Sequence, residues 1–148
     1  MGTRSKTSFI KKIGDNRVHL VSIYQQYDGY IEGVGYDIAN YILDKTIVNG
    51  FGLGDNSNKA NGFDCLIAQF IRDFKKDIGG LYITTENDIQ EYNYNVIFDE
   101  DKFYNNDYFT DVNTNDYFEI EVFDWNNKLL YSGSLKDLLE FKEVYDDE

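Results

Sequence analysis

A chain of 148 residues fits a single domain built on one core. Its content of 42% hydrophobic residues, with 17% of the whole chain aromatic, is enough to drive folding and excludes a wholly disordered chain. A net charge of −13 disfavours direct contact with nucleic acid or an anionic membrane, since both depend on cationic side chains. No stretch approaches the roughly 20 apolar residues of a membrane-spanning helix. The start of the chain lacks an apolar signal core, and a single cysteine, Cys65, cannot form an intrachain disulfide. A cytoplasmic protein with no membrane association is therefore expected.

In chain order, residues 7–13 and 17–27 alternate loosely between apolar and polar around Gly14-Asp15-Asn16, which predicts a β-hairpin. In the second strand Val18, Leu20 and Tyr24 are offset from His19, Val21 and Ile23, so both faces are partly apolar and a central place in the sheet is expected. Asp28-Gly29 breaks the strand. A helix is predicted over 33–48 with Ile38, Ile42 and Leu43 as its core stripe. Residues 49–61, carrying Gly50, Gly52, Gly54 and then Asp55-Asn56-Ser57-Asn58, read as a mobile loop. A second helix over 63–77 places Leu66, Ile67, Phe70, Ile71 and Phe74 at helical spacing and ends at Gly79-Gly80. Residues 81–84 with 90–99, and 116–124 with 128–132, predict two further hairpins, the last around Asn126-Asn127. Ser134 with Asp137 is a capping signal for a short helix running to 144. The order ββαα-ββββ-α predicts an α+β fold over residues 1–148. It combines an antiparallel sheet of about five to six strands built from hairpins, two central helices and a short C-terminal helix; a doubly wound sheet is excluded by the lack of βαβ alternation.

Two stretches carry a resemblance. Met1-Gly2-Thr3-Arg4-Ser5 and Tyr24-Gln25-Gln26-Tyr27-Asp28-Gly29-Tyr30-Ile31-Glu32-Gly33-Val34-Gly35 resemble a family of small proteins of unassigned activity from bacteriophages, prophages and large viruses. The shared features are an MGTRS-like start and a Y-x-x-aromatic-D-G-Y-x-E-G-x-G core. Gly62-Phe63-Asp64-Cys65-Leu66-Ile67-Ala68-Gln69-Phe70, Phe74 to Tyr82 and Glu91-Tyr92-Asn93-Tyr94-Asn95-Val96 resemble further blocks of that family. Ile31 stands where the family pattern has Pro, and Gln25-Gln26 where relatives often carry His, so no functional histidine is carried over. The resemblance covers about two thirds of the chain, none of it beyond Phe98, and implies a viral gene product acting in a bacterial host cell.

Catalytic signals are weak. With one His and one Cys, the usual nitrogen and sulfur ligands of a zinc site cannot be assembled. There is no G-x-S-x-G elbow, and a Cys65–His19 dyad has nothing in the sequence to favour it. Gly33-Val34-Gly35 is not a dinucleotide fingerprint because Ile38 stands at the third glycine's place, and no phosphate-binding loop with a lysine follows Gly50 to Gly54. Asp111, Asn113 and Asn115 match the first positions of a calcium loop, but Asp116 and Val122 stand where glycine and glutamate are required. No catalytic residue, metal or cofactor is expected, and the chain is read as a non-enzyme.

The stronger lead is the acidic, aromatic segment at about 99–124. Asp99, Glu100, Asp101, Asp107, Asp111 and Asp116 with Tyr104 and Tyr108 predict a partner-binding surface for a basic host protein. In the same stretch Phe118, Ile120 and Val122 alternate with Glu119 and Glu121 as a half-buried strand would. The expected function is a phage-encoded interaction protein that mimics nucleic acid and inhibits a defence system such as a CRISPR-associated nuclease. The alternative is a small-ligand or nucleotide-binding domain, or small enzyme, with Tyr24, Tyr27, Asp28, Tyr30 and Glu32 lining the pocket. A structural or regulatory oligomer is the third reading.

Overall fold

The computed structural model describes residues 2–50, 54–105 and 113–143. Strands β1 (Ser5–Ile13) and β2 (Asn16–Gln25) form the expected hairpin, in a register running from Ser5 opposite Gln25 to Ile13 opposite Asn16, with a bulge at Phe9 and Ile10. A π-helical turn (Ile31–Gly35) leads into helix α1 (Tyr36–Leu43). Short strands β3 (Thr46–Val48) and β4 (Lys59–Asn61) pair in parallel, and helix α2 (Gly62–Phe74) follows. Then come β5 (Leu81–Thr84), β6 (Tyr92–Asp99), helix α3 (Glu100–Tyr104), a 3₁₀ turn (Thr114–Tyr117), β7 (Phe118–Asp124), β8 (Leu129–Gly133) and helix α4 (Leu135–Leu138). The fold is α+β, with a six-stranded sheet in the order β5-β2-β1-β6-β7-β8.

Several expectations need correction. The sheet is mixed, because β1 and β6 run parallel, with Ser5 beside Tyr92 and Lys12 beside Asp99. Residues 81–84 and 90–99 are not a hairpin: β5 pairs with β2 at the sheet edge, and β6 inserts between β1 and β7. The physical reason lies in their side chains. Asn93 and Ile97 are buried on one side of β6 and Tyr94, Val96 and Phe98 on the other, which demands neighbours on both sides, whereas Tyr82 and Ile83 of β5 stay exposed. The helix predicted over 33–48 stops at Leu43, since Thr46-Ile47-Val48 is a β-branched run that fits a strand. β4 takes the last three residues of the predicted loop at 49–61 and pairs with that strand, which ends just before the loop. α2 ends at Phe74 rather than 77, and α4 is a single turn whose cap is the expected one, Ser134 Oγ accepting the Asp137 N–H at 3.1 Å.

The helices cover one face of the sheet. Phe9 packs edge-on to Phe63 and Phe70 of α2, with ring centroids 6.2 and 5.7 Å away, and Phe63 stacks on Phe98 at 5.0 Å. Ile38 and Ile42 of α1 and Leu135 and Leu138 of α4 complete this core. No helix among the described residues is long and apolar enough to cross a membrane.

Candidate functional site

Strand alternation sends the neighbouring residues of the same strands to the opposite face, on which no helix packs among the described residues. Register places them in rows. One row runs Thr84, Ser22, Ser8, Asn95, Glu121, Ser132, a hydroxyl, amide or carboxylate from every strand of the sheet. The adjacent row runs Tyr82, Tyr24, Lys6, Asn93, Phe123, Leu129. Because β5 and β6 lie on opposite sides of the β1–β2 pair, their connection at 85–91 has to cross the sheet. It crosses on this face, tied down by Lys6 Nζ, which donates to the Glu86 carbonyl at 2.7 Å. Between this crossover and the β7–β8 turn lies a groove of about 600 Å³, open to solvent. Ser8 and Asn95 form its floor, Glu86 and Ile89 one wall, Phe123 and Asp124 the other. That volume is within the range of roughly 300–1,000 Å³ typical of small-molecule sites.

The floor is held by its own hydrogen bonds. Ser8 Oγ and Ser22 Oγ are 2.7 Å apart, and His19 Nε2 is 2.7 Å from the same Ser22 oxygen. His19 Nδ1 lies 3.9 Å from the Glu86 carboxylate. Asn93 accepts from the Gln90 N–H at 3.0 Å and donates to the Gln90 carbonyl at 2.8 Å, fixing the end of the crossover. Burial lowers the pKa of the Lys6 ammonium below its ordinary value, opposed by the carboxylates of Asp88 and Glu86. Along the groove's other end, Arg17 reaches across β1 and β6 to a two-pronged contact with Glu121, at 2.9 and 3.1 Å. Its path crosses the rows of Ile10 and Ile97, and Ile97 is 1% exposed although it faces away from the helices. Burial alone would raise the Glu121 carboxyl, but the bonds from Arg17 and Asn95 outweigh it and hold the group below its ordinary value.

Carboxylate, imidazole and hydroxyl in sequence resemble a hydrolytic relay, yet the arrangement does not suit one. Ser22, the hydroxyl in contact with His19, is fully buried, so a substrate carbonyl cannot reach it. The relay instead fixes the orientation of the groove floor. The Cys65–His19 dyad is also overturned, since α2 packs on the other side of the sheet.

The pocket residues expected from the sequence do not enclose this groove. Tyr24 shares its face, one row from the floor, but bonds Gln26 at 2.5 Å. Tyr27 is 62% exposed, and Glu32 is exposed. The Asp28 block is instead a clamp. Asp28 adopts φ +58°, its carbonyl accepts the Val34 N–H at 2.8 Å, and the Gly29 N–H donates to the Thr3 carbonyl at 2.9 Å. Buried Tyr94 donates its hydroxyl to the Gly29 carbonyl at 2.6 Å, and Tyr30 bonds the Asp28 carboxylate at 3.3 Å. A Cβ on Gly33 would lie 2.1 Å from the Asp28 carbonyl oxygen, so only glycine fits there.

The acidic candidates are spread over several tasks. Asp99 caps α3 by accepting the Lys102 N–H at 3.1 Å, Asp101 accepts the Gly14 N–H at 2.6 Å, and Glu100 stands 4.0 Å from the Lys11 ammonium. Tyr104 is 60% exposed beside Phe103, and Asp116 lies exposed in the 3₁₀ turn. Asp107, Tyr108 and Asp111 lie outside the described residues. Sequence reasoning missed Ser8, Ser22, Asn93 and Asn95, whose only signal was polar residues at alternate strand positions. No family model matches the chain, and no curated protein or solved structure is significantly similar to it.

Proposed function

We propose that this chain is a binding protein whose ligand site is the groove on the helix-free face of its sheet. One observation carries the reading: the row of polar side chains that spans all six strands passes beneath a groove large enough for a small molecule. A sheet face meant only for water needs no chain of buried hydroxyl bonds beneath it. The test is a ligand screen by amide chemical-shift perturbation on the whole chain. Ligands of the proposed site shift resonances of Ser8, Asn95 and Phe123. A screen whose hits all map to the helices, or which yields none, overturns the assignment.

The charge supports a second reading, an interaction protein that engages a basic partner. A net charge of −13 and the resemblance to viral small proteins are its grounds. In this reading the contact includes exposed carboxylates and Tyr104 around α3, and the partner is a nucleic-acid-handling host protein that the chain inhibits by mimicry. Charge reversal at two exposed positions, Asp101→Lys with Asp116→Lys, would weaken such binding and flatten its salt dependence. Unchanged affinity and salt slope for an isolated partner would remove the electrostatic basis.

A further inference from the structure

We infer that the groove takes a neutral carbohydrate, a monosaccharide or short oligosaccharide; this rests on the groove being the ligand site. The argument is one of chemical matching. Glu86 places a carboxylate in one wall, and the chain as a whole carries −13, so a phosphate or carboxylate ligand would be repelled; the Asp124 carboxylate is taken up by the Asn126 and Lys128 N–H groups of the β7–β8 turn. The Lys6 ammonium, a cation on the lining, is directed to the Glu86 carbonyl at 2.7 Å. A cationic ligand finds no converging carboxylates either: among the described residues no three metal-ligating side chains cluster, and Glu86 shares the lining with Lys6. What remains is a ligand without net charge that both donates and accepts hydrogen bonds at many points. Hydroxyl groups do both, and so do the amides of Asn87, Asn95 and Asn127 that line the groove.

The apolar part of the lining fits the same class. Phe123, Ile10 and Ile89 put one aromatic ring and two branched aliphatic chains beside this polar set. A pyranose presents a face of C–H bonds that packs on a single ring while its edge hydroxyls reach the polar groups. A nucleobase, by contrast, gains most when both of its faces are stacked, and here one phenyl ring is offered, the His19 imidazole being tied to Ser22 at 2.7 Å. The floor is also prepared for such a ligand: Ser8, Ser22 and His19 fix one another, and Asn95 is held by Glu121 at 3.2 Å, so little side-chain freedom is lost on binding.

The experiment uses the full chain and named probes. Saturation-transfer NMR and calorimetry would be run with maltotriose, cellotriose, mannotriose and tri-N-acetylchitotriose, and with adenosine and AMP as the competing classes. The expected result is binding of at least one trisaccharide, with shifts at Ser8 and Asn95. Phe123→Ala should weaken it by about tenfold, the size of a lost ring contact. Phe123→Leu keeps the strand apolar and removes only the ring; it serves if the alanine variant does not fold, and should show a similar loss. Binding of adenosine or AMP at Ser8 and Asn95, with no saccharide bound, would overturn the ligand class and leave the groove as the site. Silence from every probe would count against both. Saccharide binding that survives both Phe123 variants unchanged would overturn the geometry proposed here.

Discussion

The two faces of this sheet are made from the same strands, residue by residue, yet they are put to opposite uses. Phe9, Tyr94, Val96, Ile120 and Val122 face the helices and are at most 1% exposed. Their immediate neighbours Ser8, Asn93, Asn95 and Glu121 face the groove and are tied by hydrogen bonds. The apolar face is tolerant of chemistry and intolerant of lost volume, while the polar face is the reverse. A slip of one residue in any of these strands would exchange the two sets, so the same register that builds the core also builds the groove.

The largest blow to the apolar side should come from Phe70→Ala. Phe70 is 1% exposed and stacks on Phe74 at 4.4 Å, so urea unfolding should show a loss of about 3–5 kcal/mol. A loss well under 1 kcal/mol would mean that the helix-covered face is not the main source of stability. Gly33→Ala probes the clamp beside the sheet. Its new methyl meets the Asp28 carbonyl, and the expected cost is about 1–3 kcal/mol, with the π-helical turn disturbed in amide shifts. On the polar face, Ser22→Ala removes the shared partner of Ser8 and His19 and should cost about 1–2 kcal/mol by the same denaturant assay. No measurable cost there would show that the chain of hydroxyls is incidental.

Smaller effects separate the periphery from both faces. Arg17→Met should cost at most about 1 kcal/mol, because Arg17 is half exposed, and the difference from wild type should shrink in high salt. Asp73 should contribute above about pH 4 and cease to matter in strong acid. Its carboxyl is held down to about 2 by the bond from Arg72 and then by the Tyr41 hydroxyl. A lowered pKa stabilises the fold above the unfolded value near 3.8 and loses that contribution as pH falls through about 2. Asp73→Asn should therefore flatten the stability profile between those two values and leave its shape near neutrality unchanged.

The first hairpin and the core were readable because their information is local. Gly14-Asp15-Asn16 marks a turn, and Leu66, Ile67 and Phe70 mark a helix face, as the structure has them. The partner of β6 was not local. Nothing in residues 92–99 names β1 rather than β5 as its neighbour, and a short stretch before it looked like half of a hairpin. The groove was lost with that pairing, since Ser8 and Asn95 form a row only when β1 and β6 are side by side. Taken one strand at a time, Ser8, Ser22 and Asn95 read as ordinary solvent-facing residues. The acidic segment misled for another reason. Asp99 sits three residues before Lys102 at the start of a short helix, which is a capping position, and composition alone counts it only as charge.

The parallel pairing of β1 with β6 also governs when the protein becomes whole. β1 is synthesised long before β6, and until Tyr92 and its neighbours emerge, one side of β1 has no strand to bond. The first hairpin can form early, but the sheet waits for a long loop to close, a slow step in any chain. The groove floor straddles that same seam. Recognition of a ligand there would have to wait for β6 and for the β7–β8 turn that walls the groove, and a bound ligand would act as a clasp across the seam.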